Sequence, residues 1–306
     1  MLRLAHRLLQ RRDRSFGDDS LGVRADRCCE LMTTTPIILA DEVQAFNRQY
    51  LVDHGTMNLR AAVPCWSPPF PHTWIEYAYK NGPQEAMVGA FVEATTFEDG
   101  TTIDSIANHK HVYESDAERE LSERPLKWCL SIFFFLAVKP LMQVSLRSCY
   151  GAAMLDKDGR LVDLRCIFPK GCGCPPGEEE VTRKGALDIC SVVGNTFSFM
   201  HCKNVVAVDV TDREGPAEKW LRRMKVPRLI YKTLRIAPMA DIVKAHAASE
   251  GIPVDKAMHI CRGHFRTYGD DSKGLFGKFK GTFWVPSHVR GDMRSGSVIK
   301  DYEVGK

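Results

Sequence analysis

The turn Asp156-Lys157-Asp158-Gly159 sits between two β-prone runs, residues 149–155 and 161–168, and constrains this chain more than any other feature. A tight hairpin turn needs residues that tolerate positive φ, and Asp158-Gly159 supplies them. A second hairpin precedes it. Residues 73–79 alternate in a strand-like way, Lys80-Asn81-Gly82-Pro83 breaks the run, and residues 87–97 resume it. Neighbouring strands joined by such short turns must pair antiparallel, so an antiparallel sheet dominates the middle of the chain. Between the hairpins, residues 128–138 are apolar and end at Lys139-Pro140. That run is too short to span a bilayer and predicts a buried strand or helix.

Helical signals follow. Glu178, Glu179 and Glu180 suit a helix amino terminus through the macrodipole, and Leu187, Cys190, Val193 or Gly194, and Phe197 recur at helical spacing. Residues 204–210 predict a buried strand, 216–224 a short helix ending before Pro227, and 241–249 another, stopped by Gly251 and Pro253. Strands return over 258–268, 282–285 and 297–304. The expected fold is α+β, a largely antiparallel sheet with a few packed helices. Residues 32–210 form the expected body, and 211–306 a basic carboxyl-terminal region. Residues 1–31 open with Arg3, Arg7, Arg11, Arg12 and Arg14 among leucines, a composition compatible with a transit peptide. The preferred expectation is a disordered basic arm or an over-extended start preceding Met32, outside the fold.

The formal net charge of +4 hides an asymmetry. Residues 219–235 carry seven Lys or Arg and no acid, and residues 256–306 carry ten bases against five acids. Such a basic third points to a polyanionic partner, against the plainer reading of a solvated charged face. The 11 cysteines are odd in number and scattered, several in apolar stretches, which fits a reducing cytoplasm better than a disulfide scaffold.

Residues 259–268, read as one strand, place Arg262, His264 and Arg266 on one face and Cys261, Phe265 and Thr267 on the other. His288 and Arg290 repeat the spacing about twenty residues later, so two extended segments could present imidazoles and guanidinium groups on one phosphate-binding surface. The intervening loop interleaves Gly269, Gly274, Gly277 and Gly281 with Lys273, Lys278 and Lys280 and with Phe276 and Phe279. Backbone amides, lysines and aromatics of this kind suit nucleic-acid phosphates and bases. No Walker sequence is present. His264 and His288 are the candidate general acid and base of a metal-independent phosphodiesterase or ribonuclease, with Arg262, Arg266 and Arg290 stabilising the pentavalent oxyanion. The competing readings are a non-catalytic phosphate clamp, or an arginine network paired with Asp270, Asp271 or Asp292. Cys166, Cys172 and Cys174, with Cys190, His201 and Cys202 downstream, have poor zinc spacing, and His109, His111 and Glu114 read more readily as a strand edge. Neither a metal nor another cofactor is expected.

The Arg-Gly-His-x-Arg, Trp-Val and His-x-Arg-Gly-Asp elements, closing on Lys300-Asp301-Tyr302, resemble a group of proteins encoded by tailed bacteriophages, prophages and plasmids. Residues 69–76 (Pro-Phe-Pro-His-Thr-Trp-Ile-Glu) and 227–231 (Pro-Arg-Leu-Ile-Tyr) are similar to further segments of that group. The group carries no assigned activity, so the resemblance implies a setting: a phage or mobile element, acting in the cytoplasm of a bacterial host. The expected partner is DNA or RNA, with a phage structural or host-interaction role, and hence a host or phage protein partner, as the alternative; no membrane partner is expected.

Overall fold

A computed structural model describes residues 3–10, 20–55, 58–81, 84–106, 116–139, 143–170, 174–175, 177–213, 215–225, 228–236, 257–261, 264–275, 279–285, 288–290 and 292–297. In chain order the elements are α1 (Leu4–Gln10), α2 (Ser20–Leu31), β1 (Ile37–Leu39), α3 (Asp41–His54), α4 (Leu59–Ala62), β2 (His72–Asn81), β3 (Gln84–Thr96), α5 (Ile103–Ile106) and α6 (Asp116–Ser122). They continue with β4 (Leu126–Val138), β5 (Val144–Asp156), β6 (Leu161–Ile167), α7 (Glu179–His201), β7 (Val205–Asp209), α8 (Pro216–Arg223) and β8 (Tyr231–Ile236). The last strands are β9 (Ala257–Cys261), β10 (His264–Tyr268), β11 (Gly281–Val285), β12 (His288–Arg290) and β13 (Asp292–Ser297). The chain divides into two compact units: Met1–Met200 with Ala207–Leu234, and His201–Val206 with Arg235–Lys306.

The first unit is built on an eight-stranded sheet in the order β6-β5-β4-β3-β2-β1-β8-β7. Strands β2 to β6 form an antiparallel meander, whereas β1 runs parallel to both β2 and β8. The fold is therefore α+β with a mostly antiparallel sheet. Both predicted hairpins are present, and the Asp156–Gly159 turn follows the expected chemistry: Gly159 has φ 74° and Asp156 Oδ1 accepts from the Asp158 and Arg160 amides. The apolar run is the central strand β4, in which Ile132, Phe133, Phe134 and Phe135 are all buried. Consecutive buried positions require cover on both faces of the sheet.

One face is covered by α1 and α2. Leu4, Leu8, Cys28 and Met32 pack with Trp74, Phe91, Phe133 and Phe135 in one cluster. Gly89, opposite Glu76 on β3, leaves the space for this packing, because a Cβ there would run into the Trp74 ring and lie 2.7 Å from Leu4. The other face takes α7, whose Cys190, Val193 and Phe197 are buried as the periodicity predicts, although Leu187 is exposed. A buried polar ladder ties α7 to α3: Asn47 donates to Ser191 Oγ at 2.8 Å, and Asn195 donates to Asn47 Oδ1 at 2.8 Å.

Three expectations change. Residues 4–10 and 20–31 are helical and belong to the core, not to a disordered arm; the short leucine pairs supply an apolar face that only tertiary packing makes visible. The boundary expected at residue 211 falls elsewhere, since α8 and β8 belong with the first unit. Finally, β7 is the terminal strand of its sheet and largely exposed, with Val206 49% exposed, not buried. The helix expected over 241–249 and the strand residues beyond 297 lie outside the described residues. No described helix is long and apolar enough to cross a membrane.

Candidate functional site

The carboxyl-terminal motif folds as two pairings that keep one antiparallel register. His264 pairs with Val285 and Tyr268 with Gly281 in the β10–β11 hairpin, while Cys261 pairs with His288 and His259 with Arg290 between β9 and β12. Strand β9 pairs on its other side with β13. Residues 259–268 are thus assigned to two strands in two sheets. Arg262 lies outside the described residues, as do Lys278, Cys172, His109, His111 and Glu114.

The hairpin is held by aromatic pairs across its strands. Phe265 meets the buried Trp284 edge to face at 4.9 Å between centroids, and Tyr268 meets the buried Phe283 at 6.1 Å. Thr267 and Thr282 hydroxyls are 3.0 Å apart. Asn204 anchors the free edge of β11: its side-chain amide donates to the Trp284 carbonyl at 2.7 Å and accepts the Trp284 amide at 2.9 Å, satisfying both buried backbone groups as a strand neighbour would. Lys203 N adds a 2.9 Å bond to the Thr282 carbonyl.

On this scaffold the candidate residues separate. His264 and Arg266 are exposed on β10, and the Arg266 guanidinium lies 4.9 Å from the centroid of the Tyr268 ring, two residues on and therefore on the same face. Lys273 and Lys280 are exposed in the connecting loop. Lys280 Nζ donates to the carbonyls of Gly269 at 3.3 Å and Asp270 at 3.0 Å, so it closes the loop's base. Gly274, at φ 82°, permits the Leu275–Phe279 bridge; a Cβ there would lie 2.9 Å from the Phe279 carbonyl oxygen. His288 and Arg290 occupy register positions opposite Cys261 and His259, whereas His264 and Arg266 lie opposite Val285 and Phe283. In that register His264's partner and His288 differ by an odd number of positions, as do Arg266's partner and Arg290. With period-two alternation, an odd offset does not assign residues to one face. Sequence alternation orders each strand's own residues but contains no register between strands.

A second concentration of chemistry lies in the first unit, at residues to which the sequence alone gives no site role. A cavity of about 470 Å³ is lined by Arg3, His6, Thr211, Glu218, Leu229 and Tyr231, among others. His6 Nδ1 and the Tyr231 hydroxyl are 2.5 Å apart and their rings stack at 5.3 Å. Burial lowers the His6 pKa to about 4, which keeps the imidazole neutral at physiological pH. Glu218 holds Arg228 through Oε1, with Nε at 3.0 Å and Nη2 at 2.9 Å. Behind the cavity, fully buried Glu76 accepts the Ala5 amide at 3.0 Å and the Trp74 indole at 2.9 Å, and burial raises its pKa. Trp74 and Glu76 from one segment and Arg228, Leu229 and Tyr231 from another thereby contribute to one neighbourhood. Nothing in residues 1–10 marks His6 before its partner is known.

Among the described residues no group of three or more His, Cys, Asp or Glu side chains is arranged to hold a metal ion. Comparison of the chain with protein-family models, with curated proteins and with solved structures gives no match.

Proposed function

We propose that the carboxyl-terminal unit binds nucleic-acid phosphates through the exposed cations of the β10–β11 hairpin, Arg266, Lys273 and Lys280, with Arg262, Lys278 and Arg290 extending the same basic region. The observation that carries this reading is the Arg266–Tyr268 pair. A guanidinium held over an exposed strand's tyrosine is pre-ordered, and it offers a charged donor and an aromatic plane side by side. The aromatic pairs and the Asn204 clamp beneath it hold the hairpin in shape, so little additional ordering accompanies binding. The setting implied by the sequence resemblance, a phage or mobile element acting inside a bacterial cell, belongs to the same proposal.

The test is retention and cleavage of labelled single- and double-stranded DNA and RNA by the full chain. Retention without cleavage supports binding. Cleavage lost in both His264→Ala and His288→Ala would favour the phosphodiesterase alternative, which requires a phosphate reached from both register positions. Absence of both retention and cleavage at low salt would leave a protein-interaction role.

A second reading is favoured by one observation in the first unit. The neutral His6 imidazole, bonded to the Tyr231 hydroxyl, opens onto a cavity within the size range of small-molecule sites. With the imidazole neutral at pH 7 and burial raising the Tyr231 hydroxyl pKa, the pair offers hydrogen-bonding groups to a ligand and is not a proton-transfer couple. Thermal-shift screening of His6→Phe beside the parent chain tests it, since a ligand of this cavity stabilises only the parent.

A further inference from the structure

Cys149, Cys166 and Cys190 converge from three elements onto the space left by Gly151. On β5, Cys149 precedes Gly151 by two positions, at a register shift in the β4–β5 pairing; across the strand pair Cys166 of β6 stands directly opposite Gly151. From α7, the Cys190 sulfur approaches so closely that a Cβ on Gly151 would lie 2.8 Å from it. Cys149 and Cys190 are buried, while Cys166 is only partly covered. The three are free thiols. Two guanidinium groups stand near: Arg183, whose guanidinium lies 5.4 Å from the Phe168 ring centroid and interacts with Cys166, and Arg147, which interacts with Cys149.

These surroundings differentiate the thiols. Cys149 hydrogen-bonds to Cys166, and with Arg183 this lowers the Cys166 pKa, whereas burial raises that of Cys190. An accessible sulfur favoured as thiolate is the nucleophile of such a group, and a buried neighbour in contact with it is the resolving partner.

We propose that Cys166 and Cys149 form a peroxide-reactive dithiol in which Cys166 is the attacking thiolate and Cys149 the resolving thiol. The Cys166 sulfur attacks one oxygen of hydrogen peroxide, the O–O bond breaks, hydroxide leaves and Cys166 becomes a sulfenic acid. The Cys149 sulfur then attacks the Cys166 sulfur, the S–O bond breaks and water leaves with the Cys149 proton. Two thiols are oxidised to one disulfide while the peroxide is reduced to water. The product bond would join β5 to β6, which has a strand neighbour on one side only among the described residues, and so pin the outer strand of the sheet.

The experiment uses the reduced full chain and hydrogen peroxide, with residual thiols alkylated and peptides mapped by mass spectrometry without reduction. The expected product is a peptide pair linked through Cys149 and Cys166 that dithiothreitol separates. In Cys149→Ser, dimedone should trap sulfenic acid on Cys166. In the unmodified chain, which requires no variant to fold, Cys166 should be alkylated by iodoacetamide roughly tenfold faster than Cys129, whose pKa burial raises. Equal alkylation rates at Cys166 and Cys129, or a link from Cys166 to Cys190 in place of Cys149, would overturn the assignment.

Discussion

His6 Nδ1 lies 2.5 Å from the hydroxyl of Tyr231, 225 positions further along the chain. This bond and the stacked rings fasten α1 to the strand β8, so a helix near the chain's start is bound to one of the sheet's later strands. The imidazole is buried, and its pKa falls to about 4 from the ordinary 6.5 because the charged form is desolvated.

That depression has a definite sign. Between pH 6.5 and about 4 the unfolded chain binds a proton at His6 that the folded chain does not, so stability falls as pH falls through this window and stops falling on this account below it. The loss is at most ~3 kcal/mol for a displacement of this size. Buried Glu76, whose pKa is raised, acts in the opposite direction, since its folded form takes up a proton more readily. His6→Phe isolates the histidine: the difference in urea-unfolding free energy between parent and variant should depend on pH across this window and be constant above it. A difference that stays flat from pH 4 to 7 would place the imidazole in solvent.

Residues 4–10 and 20–31 contribute to the first unit's core, and their removal should be costly. Leu8 is fully buried among α2 and sheet residues, so Leu8→Ala should destabilise by about 2–5 kcal/mol. Deleting residues 1–31 should lower the thermal midpoint substantially or prevent folding, read by calorimetry or circular dichroism. A truncated chain with the parent's midpoint would show that the segment is an appendage.

The Asn204 clamp determines whether the hairpin keeps its shape. Asn204→Ala removes partners from both backbone groups of buried Trp284, at roughly 1–3 kcal/mol for each group left unsatisfied. Hydrogen exchange at the Trp284 amide should accelerate strongly in the variant, while amides of β4, in the other unit, should be unchanged. Equal protection of Trp284 in both proteins would mean that water or a neighbouring group replaces the clamp.

The parts of the fold legible in sequence are those decided by neighbours in the chain. Asp158-Gly159 specifies its own turn, and α7 carries enough turns for its buried face to repeat. The apolar run 128–138 could be a strand or a helix from its composition alone, and cover on both faces decides for β4. The helix α1 has only seven residues, Arg7 among them, too few for periodicity to stand out until Trp74 and Phe91 are known to share its cluster. The candidate site divides in the same way. Exposure of His264 and Arg266 on one strand face follows from alternation, but their relation to His288 and Arg290 depends on register, which the loop between the strands fixes and composition does not record. Likewise His6, Glu218 and Tyr231 meet only through tertiary contacts.

The most direct measurement of phosphate binding by the hairpin is the salt dependence of nucleic-acid affinity, compared between the full chain and an Arg266→Ala/Lys273→Ala variant. These side chains are exposed, so the fold should be retained, and circular dichroism checks this. If both side chains engage phosphates of duplex DNA, the variant should bind more weakly, and its log–log slope of affinity against salt should be shallower by roughly 0.9 for each phosphate no longer neutralised. An unchanged slope and affinity, with the parent chain binding measurably at low salt, would contradict the account and move the binding surface away from the β10–β11 hairpin.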